Sequence, residues 1–270
     1  MKALLVGYGK MGKAIEAALI QRGHGVAGRW VRRETEEFLE GNRAGVGAAA
    51  DMAQTAHSAP PPSSPSKKNL SFSSDVATCD IAFEFTAPDV APGLVPFLLS
   101  KRIPVVSGTT GWDTSEAVRR ATELAVPFLH CANFSLGVAA MRRAAAALAA
   151  ALAPFREFHP GLVERHHSAK RDAPSGTAKA IAADVAHASG RREVPVVSLR
   201  QGGIPGEHTL YFEGEDETVE VVHRARSRAI FAQGAVRAAE WMLRSGRRGP
   251  LSFDDFFNDA SHGSPRGDAS

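Results

Sequence analysis

The apolar run Ala3-Leu-Leu-Val6 stops at a glycine, and the apolar positions that follow change their spacing. Ala14, Ile15, Ala18 and Leu19 recur at helical intervals up to Gly23, as expected of one buried helix face. Strand, glycine turn and helix open a βαβ unit, and Gly25 to Val31 reads as its second strand. The alternation resumes with strands at Asp80 to Phe85, Ile103 to Val106 and Val126 to His130. Helical patterns through Val95 to Leu99 and about Ser115 to Leu124 separate them. This order predicts an α/β fold, a Rossmann-type doubly wound parallel sheet with helices on both faces.

Beyond Asn133 the rhythm changes. A long Ala-rich helix is expected from about Leu136 to Leu152, most simply a packing helix that carries Arg142 and Arg143. Strands at Gly161 to His166, Val194 to Arg200, Glu207 to Glu213 and Thr218 to His223 follow, then a helix from about Ala232 to Leu243. These predict a second, α+β domain built on an open mixed sheet. The expected division is a first domain over 1–130, a second over 131–227 and a return to the first over 228–270. Arg43 to Ser74 is rich in Ala, Ser and Pro and includes Pro60-Pro61-Pro62, so it reads as a flexible insertion. The polar tail from Asn258 reads as disordered.

Composition narrows the function classes. A chain of 270 residues with 44% hydrophobic positions can bury one large core or two modest ones. Its net charge is +3 and its Lys and Arg residues are scattered, so no nucleic-acid partner is expected. Cys79 and Cys131 have neither a disulfide-framework nor a metal-ligand spacing, which points to reduced thiols and a cytoplasmic location. A plastid is the alternative if a transit peptide is removed before this numbering. No twenty-residue apolar run free of charge occurs, so no membrane partner is expected. The strand beginning at Lys2 leaves no room for a signal peptide.

The motifs point to a nucleotide and an anion. Gly7-Tyr8-Gly9-Lys10-Met11-Gly12 lies between a strand and a helix, where a dinucleotide fingerprint belongs. An ordinary glycine turn is the plainer alternative. Arg29, Arg32 and Arg33, with Glu34 just after, stand where an acidic ribose reader is usual. Guanidinium groups suit a 2′-phosphate, so NADPH is expected as cofactor alongside NADH; at least one of these arginines is simple surface charge. Gly108-Thr109-Thr110-Gly111 and Cys131-Ala132-Asn133-Phe134 follow strands at their carboxyl ends, where open α/β sheets bind ligands. Either alone is more often a plain turn.

The densest chemistry lies in Glu164-Arg-His166-His167-Ser-Ala-Lys170-Arg-Asp172-Ala-Pro-Ser175-Gly176-Thr177-Ala178. A histidine can pass a proton near neutral pH. Lys170 adds a fixed charge, and Ser175-Gly176-Thr177 offers backbone N–H groups at a helix start. Adjacent on a strand end, His166 and His167 should face opposite sides and differ in role. A Ser-His-Asp hydrolase built on Ser175, His166 and Asp172 is disfavoured, because Ser175 serves better as a helix cap. With no HExxH, CxxC or third clustered ligand, no metal is expected. Glu207-His208 most simply belongs to a sheet face.

Taken together, these residues resemble the 4-hydroxy-tetrahydrodipicolinate (dihydrodipicolinate) reductase family of the diaminopimelate route to lysine. The resemblance runs from Gly7–Gly12 through Glu84-Phe-Thr86, Ser107–Gly111, Ala132–Val138 and the segment at Glu164–Ala178. It continues through Gly206-Glu-His208, Ser227-Arg228 and Phe231–Ala235. It implies that His166 is the acid–base histidine and Lys170 the catalytic lysine. His167, Gly176 and Thr177 would hold a dicarboxylate substrate. Gly7 to Gly12, Gly108 to Thr110, Cys131 to Phe134 and, beside them, Arg32 would contact NADPH or NADH. The second domain would bind substrate and build a homotetramer through its sheet. The chain departs from the family in its Ala/Ser/Pro insertion, in Ala139 where Asn is common, and in the missing acidic ribose residue. Two other readings remain: another NAD(P)-dependent dehydrogenase of an amino or sugar acid, which His-His-x-x-Lys disfavours, and a non-catalytic NADPH-binding regulator, which the intact His166/Lys170 pair disfavours.

Overall fold

The structure, a computed structural model, describes residues 1–31 and 76–262. Arg32, Arg33, Glu34 and the stretch 43–74 lie outside the described residues. The chain forms two compact units, one from Met1–Ala132 with the chain beyond Ala235, the other from Asn133–Gly234.

The first unit opens with β1 (Lys2–Val6), α1 (Lys10–Gln21) and β2 (Gly25–Trp30). It continues through β3 (Ile81–Glu84), α2 (Ala91–Ser100), β4 (Val105–Ser107), α3 (Ser115–Leu124) and β5 (Phe128–His130). Later in the chain, β10 (Pro250–Leu251) completes a sheet of order β10-β5-β4-β3-β1-β2, every pair parallel. The inner strands are apolar at consecutive positions, because parallel strands are covered on both faces. Leu4, Ala82, Val105 and Phe128 pack against Leu94, Leu98, Ala117 and Ala121 of α2 and α3. Their neighbours Leu5, Phe83, Val106 and Leu129 are equally buried, and strand geometry turns them to the opposite face. β1 lies between β2 and β3, so the crossovers leaving it diverge. That places a ligand crevice outside the carboxyl ends of β1 and β3.

The second unit holds α4 (Leu136–Leu152), β6 (His159–His166), α5 (Gly176–Ser189), β7 (Val196–Arg200), β8 (Glu207–Glu213) and β9 (Thr218–Arg224). Its sheet has the order β7-β6-β8-β9, with β6 and β7 parallel and the other pairs antiparallel. It is mixed, as the sequence predicts. One face carries Leu162, Leu210 and Phe212 against Met141 and Ala145 of α4 and Ile181 and Val185 of α5. Arg142 and Asp184 tie the two helices, Nε to Oδ2 2.6 Å. The helix α6 (Ala229–Arg244) then leads back into the first unit.

The carboxyl-terminal region differs from expectation. The sequence predicts a disordered tail from Asn258, but residues 258–262 belong to α7 (Phe253–His262); the rest of that tail lies outside the described residues. Three local features explain the helix. Ser252 and Asp255 cap each other: Asp255 N–H donates to Ser252 Oγ (3.0 Å) and Ser252 N–H to Asp255 Oδ2 (2.8 Å), a reciprocal capping arrangement. Asp254 and Asp255 sit in the first turn, where negative charge meets the positive helix end. Phe253 and Phe256 bury an apolar face, and Asp259 accepts from Trp241 Nε1 at 3.0 Å. Removing the cap by Ser252→Ala is expected to destabilise the protein by about 1 kcal/mol, read as a lower urea midpoint. An unchanged midpoint would mean that the cap contributes nothing.

Candidate functional site

Each unit carries its own cluster of predicted residues. In the first, a cleft of about 300 Å³ is walled by Gly7, Tyr8, Gly9, Phe85, Thr86 and Val90. It opens at the carboxyl ends of β1 and β3, where the topology places a ligand. Gly7 has φ +90, and a Cβ there would lie 2.1 Å from the Phe85 carbonyl oxygen, so only glycine allows this turn. Among the described residues, no atom lies within 4 Å of the missing Cβ of Gly9 and no side chain caps the helix it opens. Its backbone therefore faces open space beside the positive end of α1, which suits a pyrophosphate. Lys10, Met11 and Gly12 form the first turn of α1. These features fit the phosphate portion of a dinucleotide.

Glu84 organises the next wall, a role that sequence reasoning missed. Fully buried at the end of β3, its carboxylate accepts from Thr86 N–H and from the hydroxyls of Thr86, Ser107 and Thr109. Those donors come from the carboxyl ends of β3 and β4 and the loops that follow them. Thr86 N–H also donates to Thr109 Oγ1 (2.9 Å), and Trp112 Nε1 to the Thr109 carbonyl (2.8 Å). Gly108 packs so closely that a Cβ would lie 2.1 Å from Cε1 of Phe85. The predicted loop Gly108-Thr109-Thr110 is thus held beside Phe85 by one carboxylate. Every position of β3 is buried, and a charged residue closing an otherwise apolar strand was the available signal.

Arg29, offered to a 2′-phosphate by the sequence, is engaged elsewhere. Its Nε lies 3.0 Å from Glu16 Oε1, and its guanidinium sits 5.7 Å from the centre of the Tyr8 ring. Tyr8 also donates its hydroxyl to Glu16. Arg32 lies outside the described residues. Cys131 and Ala132 follow β5 in the first unit, whereas Asn133 and Phe134 belong to the second.

In the second unit, the segment after β6 folds back on the sheet. Ser175 caps α5 through Ala178 N–H (3.1 Å), as its place before the helix predicts, so its hydroxyl is engaged away from any hydrolase role. Gly176 and Thr177 form the first turn. Asn133 Nδ2 donates to Thr177 Oγ1 at 2.8 Å, joining one predicted cofactor residue to one predicted substrate residue. Lys170 Nζ pairs with both Asp172 carboxylate oxygens, at 2.7 and 2.9 Å. His167 leaves the strand half-buried, its Nε2 3.4 Å from Arg228 Nη2.

His166 is directed inward instead. It shares a face of β6 with Glu164, two residues back, and His208 stands opposite Glu164 on β8. All three are buried. Glu164 Oε1 accepts from Ser175 N–H (3.0 Å), Ser198 Oγ (2.7 Å) and Arg200 Nη2 (2.8 Å). Burial pushes this carboxyl up, but the hydrogen bonds from Ser175, Ser198 and Arg200 outweigh it and hold it at about 2. Burial pushes His166 below the ordinary imidazole range; Glu164 opposes that shift, while Lys170 and Arg200 add to it. Burial, aided by the charge of His166, holds His208 at about 4. The plain sheet-face reading of His208 therefore gives way to a place in this cluster. Its strand partner across 44 residues could not be read from spacing. Glu164, His166 and His208 bring ligand-type atoms within 4.8 Å of one another. With the Arg200 guanidinium on the same carboxylate, the cluster already holds positive charge and suits proton exchange better than a divalent cation.

The family profile described as dihydrodipicolinate reductase, N-terminus, matches residues 1–134, and the one described as dihydrodipicolinate reductase, C-terminus, matches residues 137–257. This chain belongs to the dihydrodipicolinate reductase family. Among curated relatives, the 4-hydroxy-tetrahydrodipicolinate reductase of Campylobacter lari is 36% identical over 197 residues, covering 66% of this chain and 80% of that protein. Its counterpart from Myxococcus xanthus is 37% identical over 188 residues, covering 62% and 68%. Among solved structures, dipicolinate-bound dihydrodipicolinate reductase from Paenisporosarcina sp. TG-14 shares the fold. Its TM-score is 0.67 at 19% identity, over 93% of this chain and 97% of that one. An engineered D-amino acid dehydrogenase bound to NADP+ shares it more distantly, with a TM-score of 0.51 at 13% identity over 98% and 99%.

Because the folded value of Glu164, about 2, lies below its ordinary 4.5, its contribution to stability is complete above about pH 4.5 and is lost as pH falls towards 2. The melting temperature should drop across that window in this family member, and less steeply in Glu164→Gln. Identical acid slopes in the two proteins would show that this carboxylate is not a source of the loss.

Proposed function

We propose that this chain reduces 4-hydroxy-tetrahydrodipicolinate to tetrahydrodipicolinate, using NADPH or NADH, in the diaminopimelate route to lysine. The two names differ by one hydroxyl, so the balanced reaction consumes one hydride and one proton and releases one water. The nicotinamide cofactor, when bound, supplies the hydride. The chain's own residues must hold a dianionic ring and move the proton.

The observation that carries this reading is the grouping of His166, Lys170 and the α5 start on one segment. Gly176 and Thr177 N–H groups, at the positive end of α5, would take one carboxylate. Lys170 would meet it as a point charge, exchanging Asp172 for the substrate. His167 and Arg228 offer a second cationic edge. His166, buried and held below the ordinary imidazole range, is neutral at pH 7 and would act as acid–base group for proton transfers around reduction. Gly7 to Gly12, with Tyr8 and Gly9 on the cleft wall, would bind the cofactor phosphates. Glu84 would keep Gly108 to Thr110 in place beside the nicotinamide end, and Cys131 to Phe134 would complete the cofactor contacts.

Assembly as a homotetramer rests on the face of the mixed sheet turned away from α4 and α5. Val197, Val163, Thr209 and Val222 form one continuous row across four strands. Val197, Leu199 and Val222 remain exposed at 55%, 46% and 37%. An apolar sheet face of this kind is usually covered by a partner, here a second copy. Among the described residues no helix is long and apolar enough to cross a membrane. The half-buried thiols of Cys79 and Cys131, in no disulfide, fit a reducing cytoplasm.

In a coupled assay with the cyclic dicarboxylate, His166→Gln or Lys170→Ala should lower turnover by roughly 10²–10⁴-fold, with NADPH binding nearly intact. Wild-type turnover in either variant would sink the site assignment. Activity only on an amino or sugar acid would favour a different dehydrogenase. Sedimentation should give a particle of four chains, and Val197→Glu with Leu199→Glu should dissociate it. A tetramer that survives both changes would place the interface elsewhere.

A further inference from the structure

We propose that Glu164 is the positioning residue of His166, taking the Nδ1 proton on Oε2 and thereby reserving Nε2 for proton exchange with substrate. The inference rests on the reading of His166 as the acid–base group and adds the device that sets its tautomer.

The two oxygens of Glu164 are unequal. Oε1 carries three donors from two different segments, the cap of α5 and β7, so the carboxylate cannot turn. Oε2 has no aligned hydrogen-bond partner among the described residues, although it is fully buried. Its near neighbours are His166 Nδ1 at 3.0 Å and His208 Nε2 at 4.0 Å. His166 Nδ1 is likewise buried without an aligned partner. A buried acceptor and a buried ring nitrogen at hydrogen-bond distance each lack only alignment, and leaving both unmade would cost about 1–3 kcal/mol per group. A modest turn of the imidazole makes the bond. No other described group stands within reach of Oε2 to compete, because His208 is farther away and is held neutral by burial.

The opposite edge of the ring is arranged for access. A Cβ at Gly206 would lie 3.1 Å from His166 Nε2, so this position leaves the reactive edge uncovered. The groups facing His166 are Glu164 on its own strand, Arg200 on β7, His208 on β8, and Lys170 and Asp172 on the following loop. His208 meets its ring edge-on, with centres 5.3 Å apart, and buttresses the orientation. His223 on β9 stands behind His208, with centres 6.4 Å apart. Glu164 and Asp172 favour the imidazolium, while Lys170 and Arg200 disfavour it. Glu164 is the nearer carboxylate, and its loss leaves the cations dominant.

The test compares wild type, Glu164→Gln and Glu164→Asp in kcat/KM against pH, with nitrogen NMR of His166 in the resting enzyme. Fixing a histidine tautomer by a carboxylate is worth up to about 10⁴-fold in turnover. We expect Glu164→Gln to lower kcat at least tenfold while KM and NADPH affinity change less than threefold. Its His166 limb should move to lower pH, and Glu164→Asp should recover part of the rate. The NMR should report protonated Nδ1 in wild type. A wild-type pH profile in Glu164→Gln, or a loss confined to KM, overturns the proposal. If Glu164→Gln does not fold, the wild-type spectrum decides: protonated Nε2 overturns it. His166→Gln separates the layers, since turnover there refutes the acid–base reading itself, whereas an inactive His166→Gln with a wild-type Glu164→Gln profile refutes only the positioning role.

Discussion

Taking a carboxylate fully out of water costs several kcal/mol unless the surrounding groups replace its hydration. Glu164 meets that demand with an N–H from the α5 cap, a hydroxyl from β7 and a guanidinium from the end of β7. Together they fix the start of α5 and the strand β7 relative to β6. Ser175 sets where α5 begins, and with it where the Gly176 and Thr177 N–H groups point. Arg200 also reaches the Asp172 carbonyl, so the loop bearing Lys170 is tied to the same carboxylate. His166, Lys170 and the start of α5 are therefore positioned around one buried charge. This charge remains ionised because its donors outnumber what burial takes away.

The first unit uses a related device with different chemistry. Glu84 is as deeply buried as Glu164, but its described donors are three hydroxyls and one backbone N–H, with no guanidinium among them. Hydroxyls from the ends of β3 and β4 converge on it, so the loops that follow these two strands share an anchor, and the donors bring no charge of their own to the sheet end. In both units a carboxylate at the end of a strand orders the loops that follow it.

Periodicity made most of the fold legible. Consecutive apolar residues marked the parallel strands, and β6 to β9 alternated as a sheet with one helix-covered face should. The helix α7 was not legible, because its apolar face is just Phe253 and Phe256 amid aspartates, and its stability comes from the Ser252–Asp255 cap and the Trp241–Asp259 bond. The chemical segment was legible where it is contiguous: His166, Lys170 and Ser175 lie within ten positions. Its partners were not. His208 comes from β8 by strand register, Arg200 from β7, and Asn133 reaches Thr177 across 44 residues. Spacing cannot show that Glu164 and His166 face the core side while Arg165 faces out, until the strand is paired on both edges.

Charge around the α5 start has one further consequence. Lys170 is held by Asp172, whose side chain is 54% exposed. An exposed pair of this kind is worth about 0–1 kcal/mol, so an incoming carboxylate can displace Asp172 with little loss. Until then, Asp172 keeps the ammonium in place. Glu164 cannot be displaced in the same way, because its three donors are buried or half-buried and belong to the framework. The segment thus separates two carboxylates by their surroundings: a fixed one beside His166, and an exposed one that pairs with Lys170. An anion can compete for Lys170 on that ground, whereas a neutral ligand gives it no reason to release Asp172.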